Sequence, residues 1–184
     1  GEESPLAVSL PPCFFLAPRT RRVVLQTEGC VRLFAVRFRS GGLRHFMEPT
    51  MNHLVDTLVS TEDLWGRAWR ESGLSGALTG GPGVPGQGGP QDLVTPVDRF
   101  LRQRLQRHQH PDPWLDRWVE RLYYASPGTR VGEIVAEAPV GLRQVERKCL
   151  EATGVGPKAL VRYARFSRVV RALCLEGRRD LAAL

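Results

Sequence analysis

The sequence predicts an α+β protein: a partial β-rich N-terminal domain followed by an all-helical C-terminal region with a helix-turn-helix. Short runs of Val, Phe and Leu crowd the first forty residues, a Gly/Pro-rich stretch divides the chain near its middle, and beyond that stretch apolar residues recur at helical spacing.

In the front part, Cys13 to Leu16, Val23 to Gln26 and Val31 to Phe38 read as strands, separated by the turn-forming Pro18 to Thr20 and Glu28-Gly29. Phe34, Val36 and Phe38 alternate with Ala35 and Arg37, so the aromatic side of the third run is expected to face inward. Three strands leave open edges and little sheet, so the expectation is a β structure whose opening strands lie outside this sequence. After Ser40-Gly41-Gly42, the segments Leu43 to Met47 and Asn52 to Leu58 read as short helices. Ser60-Thr61-Glu62-Asp63 then offers a polar cap to a helix on which Leu64, Trp65, Ala68 and Trp69 share a face, the two indoles as core. From Gly80 to Pro90 there are too few side chains to repay ordering the backbone. The expected organisation is therefore a domain over 1–79, a linker over 80–92 and a helical region over 93–184.

In the helical region, Val97, Leu101 and Leu105 mark one helix starting near Pro96. Trp114, Leu115, Trp118, Val119 and Leu122 mark another after Pro113, capped by Asp112. Three more are expected over Val131 to Ala138, Leu142 to Thr153 and Pro157 to Leu175.

Composition narrows the function. A hydrophobic content of 42% supports a packed core. No run of about 18 apolar residues exists, and Pro11 and Pro12 interrupt the apolar start, so a soluble, cytoplasmic protein with no membrane partner is expected. The four cysteines lie far apart without a C-x-x-C pair, which argues against a zinc site and for reduced, buried thiols. His45, His53, His108 and His110 join no nucleophile or metal-binding group, and the Gly-rich stretch lacks the lysine of a phosphate-binding loop. Neither an enzyme nor a cofactor is expected. The net charge of +7 is unevenly placed: residues 1–94 carry nine basic and nine acidic side chains, whereas residues 142–179 carry ten and three. A neutral front joined to a basic tail is the footprint of a chain that meets phosphates at one end.

Two short helices joined by a tight turn and followed by a long one is the order of a helix-turn-helix domain. On the helix from Leu142, the residues Leu142, Val145, Cys149 and Ala152 are expected to form a buried stripe, leaving Arg143, Gln144, Glu146, Arg147 and Lys148 on the other side. Those side-chain types pair with guanine, adenine and cytosine edges in the major groove. On the long helix, Ala159, Tyr163, Phe166, Val170 and Leu173 are expected inward, and Lys158, Arg162, Arg165, Arg168 and Arg171 outward, where they can meet phosphates.

The run from Arg143 to Lys158 resembles the first helix-turn-helix and linking helix of AraC-type transcription regulators, and the resemblance continues through Arg165-Phe166 and Ala172-Leu173. Upstream, Gly29 to Leu43 and Asp63-Leu64-Trp65-Gly66 look like the β-rich front domain of one subgroup. The resemblance implies double-stranded DNA as partner, with base reading at Arg143, Glu146 and Arg147, and a front domain that senses a small-molecule effector or forms a homodimer. It also implies a second helix-turn-helix, of which only the first helix could begin before Leu184, and hence weakened groove contact. The rival expectation is an effector-sensing or dimerisation module with weakened or lost DNA binding. Four positions depart from the family pattern: Pro139 at the turn glycine, Gly141 at the capping serine, Cys149 at a core phenylalanine and Gly156 at the serine before Pro157.

Overall fold

Two hydrophobic clusters organise the chain, and the elements are best read by which cluster they serve. The computed structural model describes residues 9–29, 33–79, 91–108, 112–125 and 128–174. The architecture is helical with one small sheet, α+β in the coarse sense.

That sheet has two strands, β1 (Phe14–Leu16) and β2 (Leu58–Ser60), antiparallel with Phe15 opposite Val59. The first expected strand forms, but its partner comes from the end of a segment read as helix. Instead of a helix over Asn52 to Leu58, the chain makes a short 3₁₀ helix (Met51–His53), a turn, and then β2. The turn residue Asp56 adopts a left-handed φ of 58°, which no helix accommodates. It is held there from outside: its carboxylate accepts from the Thr20 backbone N–H at 2.7 Å and from the Thr20 hydroxyl, and its N–H donates to the Pro18 carbonyl at 3.1 Å.

The other two expected strands are corrected. Val23 to Gln26 forms none and exposes its apolar side chains, Val24 to 69%. Residues 33–38 form none either, with Leu33 81% exposed, while residues 30–32 lie outside the described part. A strand is stabilised by its ladder, and among the described residues no segment pairs with either run. Phe38 nevertheless turns inward, its ring 6.2 Å from Phe15 and 5.2 Å from Phe46. Leu43 to Met47 forms a second 3₁₀ turn, Gly42–Phe46.

Helix α1 (Thr61–Glu71) is capped as its sequence demands, Ser60 Oγ accepting from the Asp63 N–H at 2.9 Å. Its Trp65 and Trp69 are buried, and Trp65 donates its indole N–H to the Phe46 carbonyl at 2.8 Å. After α2 (Leu74–Thr79), residues 80–90 of the segment expected as a linker over 80–92 lie outside the described part, and Gln91 and Asp92 belong to α3 (Gln91–Arg107). Phe100 of α3 stacks edge-on against Trp65 at 5.0 Å and Trp69 at 5.5 Å, so the first helix beyond the linker completes the front cluster.

The second cluster is built by α4 (Pro113–Tyr123), α5 (Val131–Ala136, ending short of the expected Ala138), α6 (Leu142–Thr153) and α7 (Pro157–Cys174). Leu122, Val145 and Cys149 have no measurable exposure. Trp118 of α4 donates its indole N–H to the Ile134 carbonyl at 2.9 Å, tying α5 down at its last turn.

The clusters interlock at two places. Arg44 is 6% exposed and donates to Asp116 Oδ1 of α4 at 3.0 Å and to the Asp112 carbonyl at 3.2 Å, with His45 Nε2 also 3.0 Å from the Asp116 carboxylate. Gly154, which ends α6 with φ 77°, sits directly on the Met51–His53 turn. Among the described residues no helix is long and apolar enough to cross a membrane. A Cβ at position 154 would lie 2.7 Å from Val55 Cγ2 and 3.1 Å from the Met51 carbonyl, in a backbone conformation that already disfavours side chains. Gly154→Ala is therefore expected to destabilise the protein by about 2–4 kcal/mol. Urea unfolding checks this, and a change below about 0.5 kcal/mol would show the seam to be loose.

Candidate nucleic-acid interface

Helix α6 begins at Gly141, whose carbonyl accepts from the N–H groups of Gln144 and Val145 at 2.9 and 3.0 Å. The turn from α5 contains no residue with positive φ, so Pro139, where the family pattern has glycine, fits the path without strain. The buried stripe of α6 is Val145, Cys149, Ala152 and Thr153. Leu142, expected to head it, is 58% exposed: it occupies the first turn, where no neighbour covers it. Thr153 extends the stripe at the other end, its hydroxyl 2.8 Å from the Cys149 carbonyl and 2.9 Å from that of Val155. Burial pushes the Cys149 thiol up to about 11, so it stays protonated and packs as a small neutral group, donating to the Val155 carbonyl at 3.3 Å.

With that stripe turned inward, Arg143, Gln144, Glu146 and Arg147 are all exposed. Arg147 pairs with Glu151 one turn on at 2.9 Å, a surface pair worth little and readily exchanged for another anion. Lys148 is placed differently from the expectation. Its ammonium lies 2.5 Å from Asp112 Oδ2, with the side chain 18% exposed, so it clamps α6 to the start of α4.

Lys158 and Arg162 stand exposed on successive turns of α7, as expected, and Arg165 and Arg171 are exposed too. Arg168 instead donates to the Ala125 carbonyl at 2.8 Å, closing the exit of α4. The apolar face expected for α7 is corrected. The residues turned inward are Pro157, Leu160, Val161, Ala164 and Ala172, while Phe166, Val170 and Leu173 are 67%, 38% and 42% exposed. Apolar residues surround α7 in its second half, so periodicity allows two faces. The one that carries Ala164 and Ala172 permits the closer approach. Tyr163, half-buried, donates its hydroxyl to the Arg19 carbonyl at 2.9 Å and links α7 to the front part.

Helices α6 and α7 together carry eight basic residues, those of 143, 147, 148, 158, 162, 165, 168 and 171, against Glu146 and Glu151. His45 is held by Asp116, and His108 Nε2 lies 2.7 Å from Arg104 Nη2. Comparison of the chain with protein-family models, with curated proteins and with solved structures finds no match.

Gly141 has the extended backbone of a helix cap (φ −65°, ψ 156°) but no side chain to accept an N–H, and nothing lies within 4 Å of a Cβ built there. Gly141→Ser should therefore stabilise the fold by about 0.5–1 kcal/mol, through the new cap and a less flexible unfolded chain. A lower melting temperature in the variant would contradict this. Acid should act through Asp112, whose carboxyl is held below the usual range chiefly by the hydrogen bond from Lys148. Its folded value is the lower one, so its contribution is complete above about pH 4, the unfolded value, and is lost as pH falls through the folded value. Stability measured from pH 5 to 2 should fall less steeply in Asp112→Asn than in the parent protein, and identical slopes would exclude this role.

Proposed function

We propose that this chain is a sequence-specific, double-stranded-DNA-binding transcription regulator of the AraC type, with α5 and α6 forming a helix-turn-helix and α6 entering the major groove. The observation that carries this reading is the orientation of α6: Val145, Cys149 and Ala152 are sealed inside, which leaves Arg143, Gln144, Glu146 and Arg147 to solvent. Arginine pairs with the O6 and N7 edge of guanine, glutamine with adenine and glutamate with the amino group of cytosine, so this face holds the chemistry to tell base pairs apart. Lys158 and Arg162, at the start of the next helix, supply charge for phosphates, which positions a protein without specifying sequence.

The test starts from duplexes selected by the chain from a random pool. Arg143→Ala and Arg147→Ala should each cut preference for the selected duplex over random DNA by about tenfold or more. Lys158→Ala should weaken both nearly alike and lower the salt dependence by about one phosphate contact. If the Arg143→Ala/Arg147→Ala double variant, folded by circular dichroism, discriminates between the two duplexes as the parent does, α6 does not read bases.

A further inference from the structure

Beside the second cluster, the described surface contains an open cavity of about 170 Å³ lined by Trp114, Arg117, Trp118, Arg121, Glu137 and Pro139. Four of these residues come from one side of α4, and Glu137 and Pro139 come from the turn between α5 and α6. The lining is mixed, two indoles and Pro139 beside Arg117, Arg121 and Glu137. The Trp114 and Trp118 rings meet edge to face at 6.4 Å. Neither indole seeks a polar partner in the cavity, because Trp118 donates to the Ile134 carbonyl and Trp114 to Asp112 Oδ1 at 3.3 Å.

The charges are sorted with equal clarity. Arg121 and Glu137 pair across the cavity, Nη2 to Oε1 at 2.8 Å with a second contact between Nη1 and Oε2, and so neutralise each other. Arg117 remains, exposed at the rim and without an ion pair among the described residues, which gives the lining a net charge of one cation. An indole face with a single uncommitted guanidinium beside it fits a planar ring bearing one carboxylate: the ring lies against Trp114 and the carboxylate meets the forked N–H donors. The volume is of the order that takes one ring, an apolar cavity of about 150 Å³ holding benzene.

We infer that this cavity is a binding site for a small aromatic monocarboxylate, with the half-buried Trp114 offering a face to the ring and Arg117 meeting the anion. Occupancy would brace the turn that leads into α6. That consequence for base reading rests on the function proposed above, whereas binding itself does not and is measured without DNA.

The experiment titrates the full chain, labelled with ¹⁵N, with benzoate and separately with benzamide, and follows the four indole N–H resonances. The Trp114 and Trp118 signals should shift with saturation in the millimolar range while those of Trp65 and Trp69, buried in the other cluster, stay fixed. Benzoate should bind about tenfold more tightly than its neutral amide, and Arg117→Gln should abolish that difference while leaving benzamide binding intact. Arg117 is exposed, so the variant is expected to fold, and its dispersed indole signals report that directly. The site is refuted by absence of shifts at about 10 mM ligand, a weak-binding limit, by equal binding of acid and amide, or by an Arg117→Gln variant that keeps the preference for the acid.

Discussion

The constraint on which the molecule depends is the need to compensate the guanidinium of Arg44 inside the structure. Arginine does not shed its proton at any ordinary pH, so a side chain 6% exposed must find a carboxylate and enough acceptors for its N–H groups. Asp116 of α4 supplies the charge and the Asp112 carbonyl a further acceptor. The carboxylate of the same Asp112 then takes the ammonium of Lys148, so the acidic start of α4 joins the Gly42–Phe46 turn on one side to α6 on the other. Carboxylates also favour that end of a helix because its unpaired N–H groups carry partial positive charge. Removing one partner of a fully buried pair typically costs about 3–5 kcal/mol, and with the Asp116 side chain 42% exposed the cost here falls below that range.

The position of α6 is in consequence set from several directions. Its beginning follows the short helix α5, which at six residues is too short to persist alone and is held by the Trp118 indole. Lys148 holds its middle, and its end is pressed onto the Met51–His53 turn at Gly154. The proposed reading of bases by α6 calls for such fixing, because a side chain reads an edge only when its backbone does not move. Under that proposal the front part contributes mechanically, by holding α6 in place.

Much of this was legible in the sequence, and the failures have physical causes. The helices α4, α6 and α7 and the indole core of α1 follow from strong local periodicity, and the Ser60 cap from the chemistry of one side chain. Val23 to Gln26 has strand composition but no strand, since composition records how well a chain suits a ladder and not whether a partner exists. The reverse holds at Leu58 to Ser60, where the apolar spacing of 52–58 suited a helix until Asp56 was pinned by Thr20, 36 residues away. On α7 the apolar residues outnumber one face, and only packing decides that Ala164 goes in and Phe166 stays out. Lys148 and Asp112 are likewise 36 residues apart, and no local rule pairs them.

The same sorting changes what the basic tail means. By count, its excess of cations suggested a broad phosphate-binding surface, yet each cation has to be asked what it already holds. Lys148 and Arg168 are committed to α4, and Arg147 shares its charge with Glu151. Arg143, Lys158 and Arg162 are exposed and make no ion pair among the described residues. A phosphate competes poorly for a cation already held at 2.5 Å by a shielded carboxylate, because the exchange exposes an unpaired charge to a poorly solvated site. It competes well for one that is solvated on all sides. On the described parts of α6 and α7, Arg143, Lys158 and Arg162 thus stand near the starts of the two helices, beside Gln144 and Glu146, whose side chains have the chemistry to discriminate between bases.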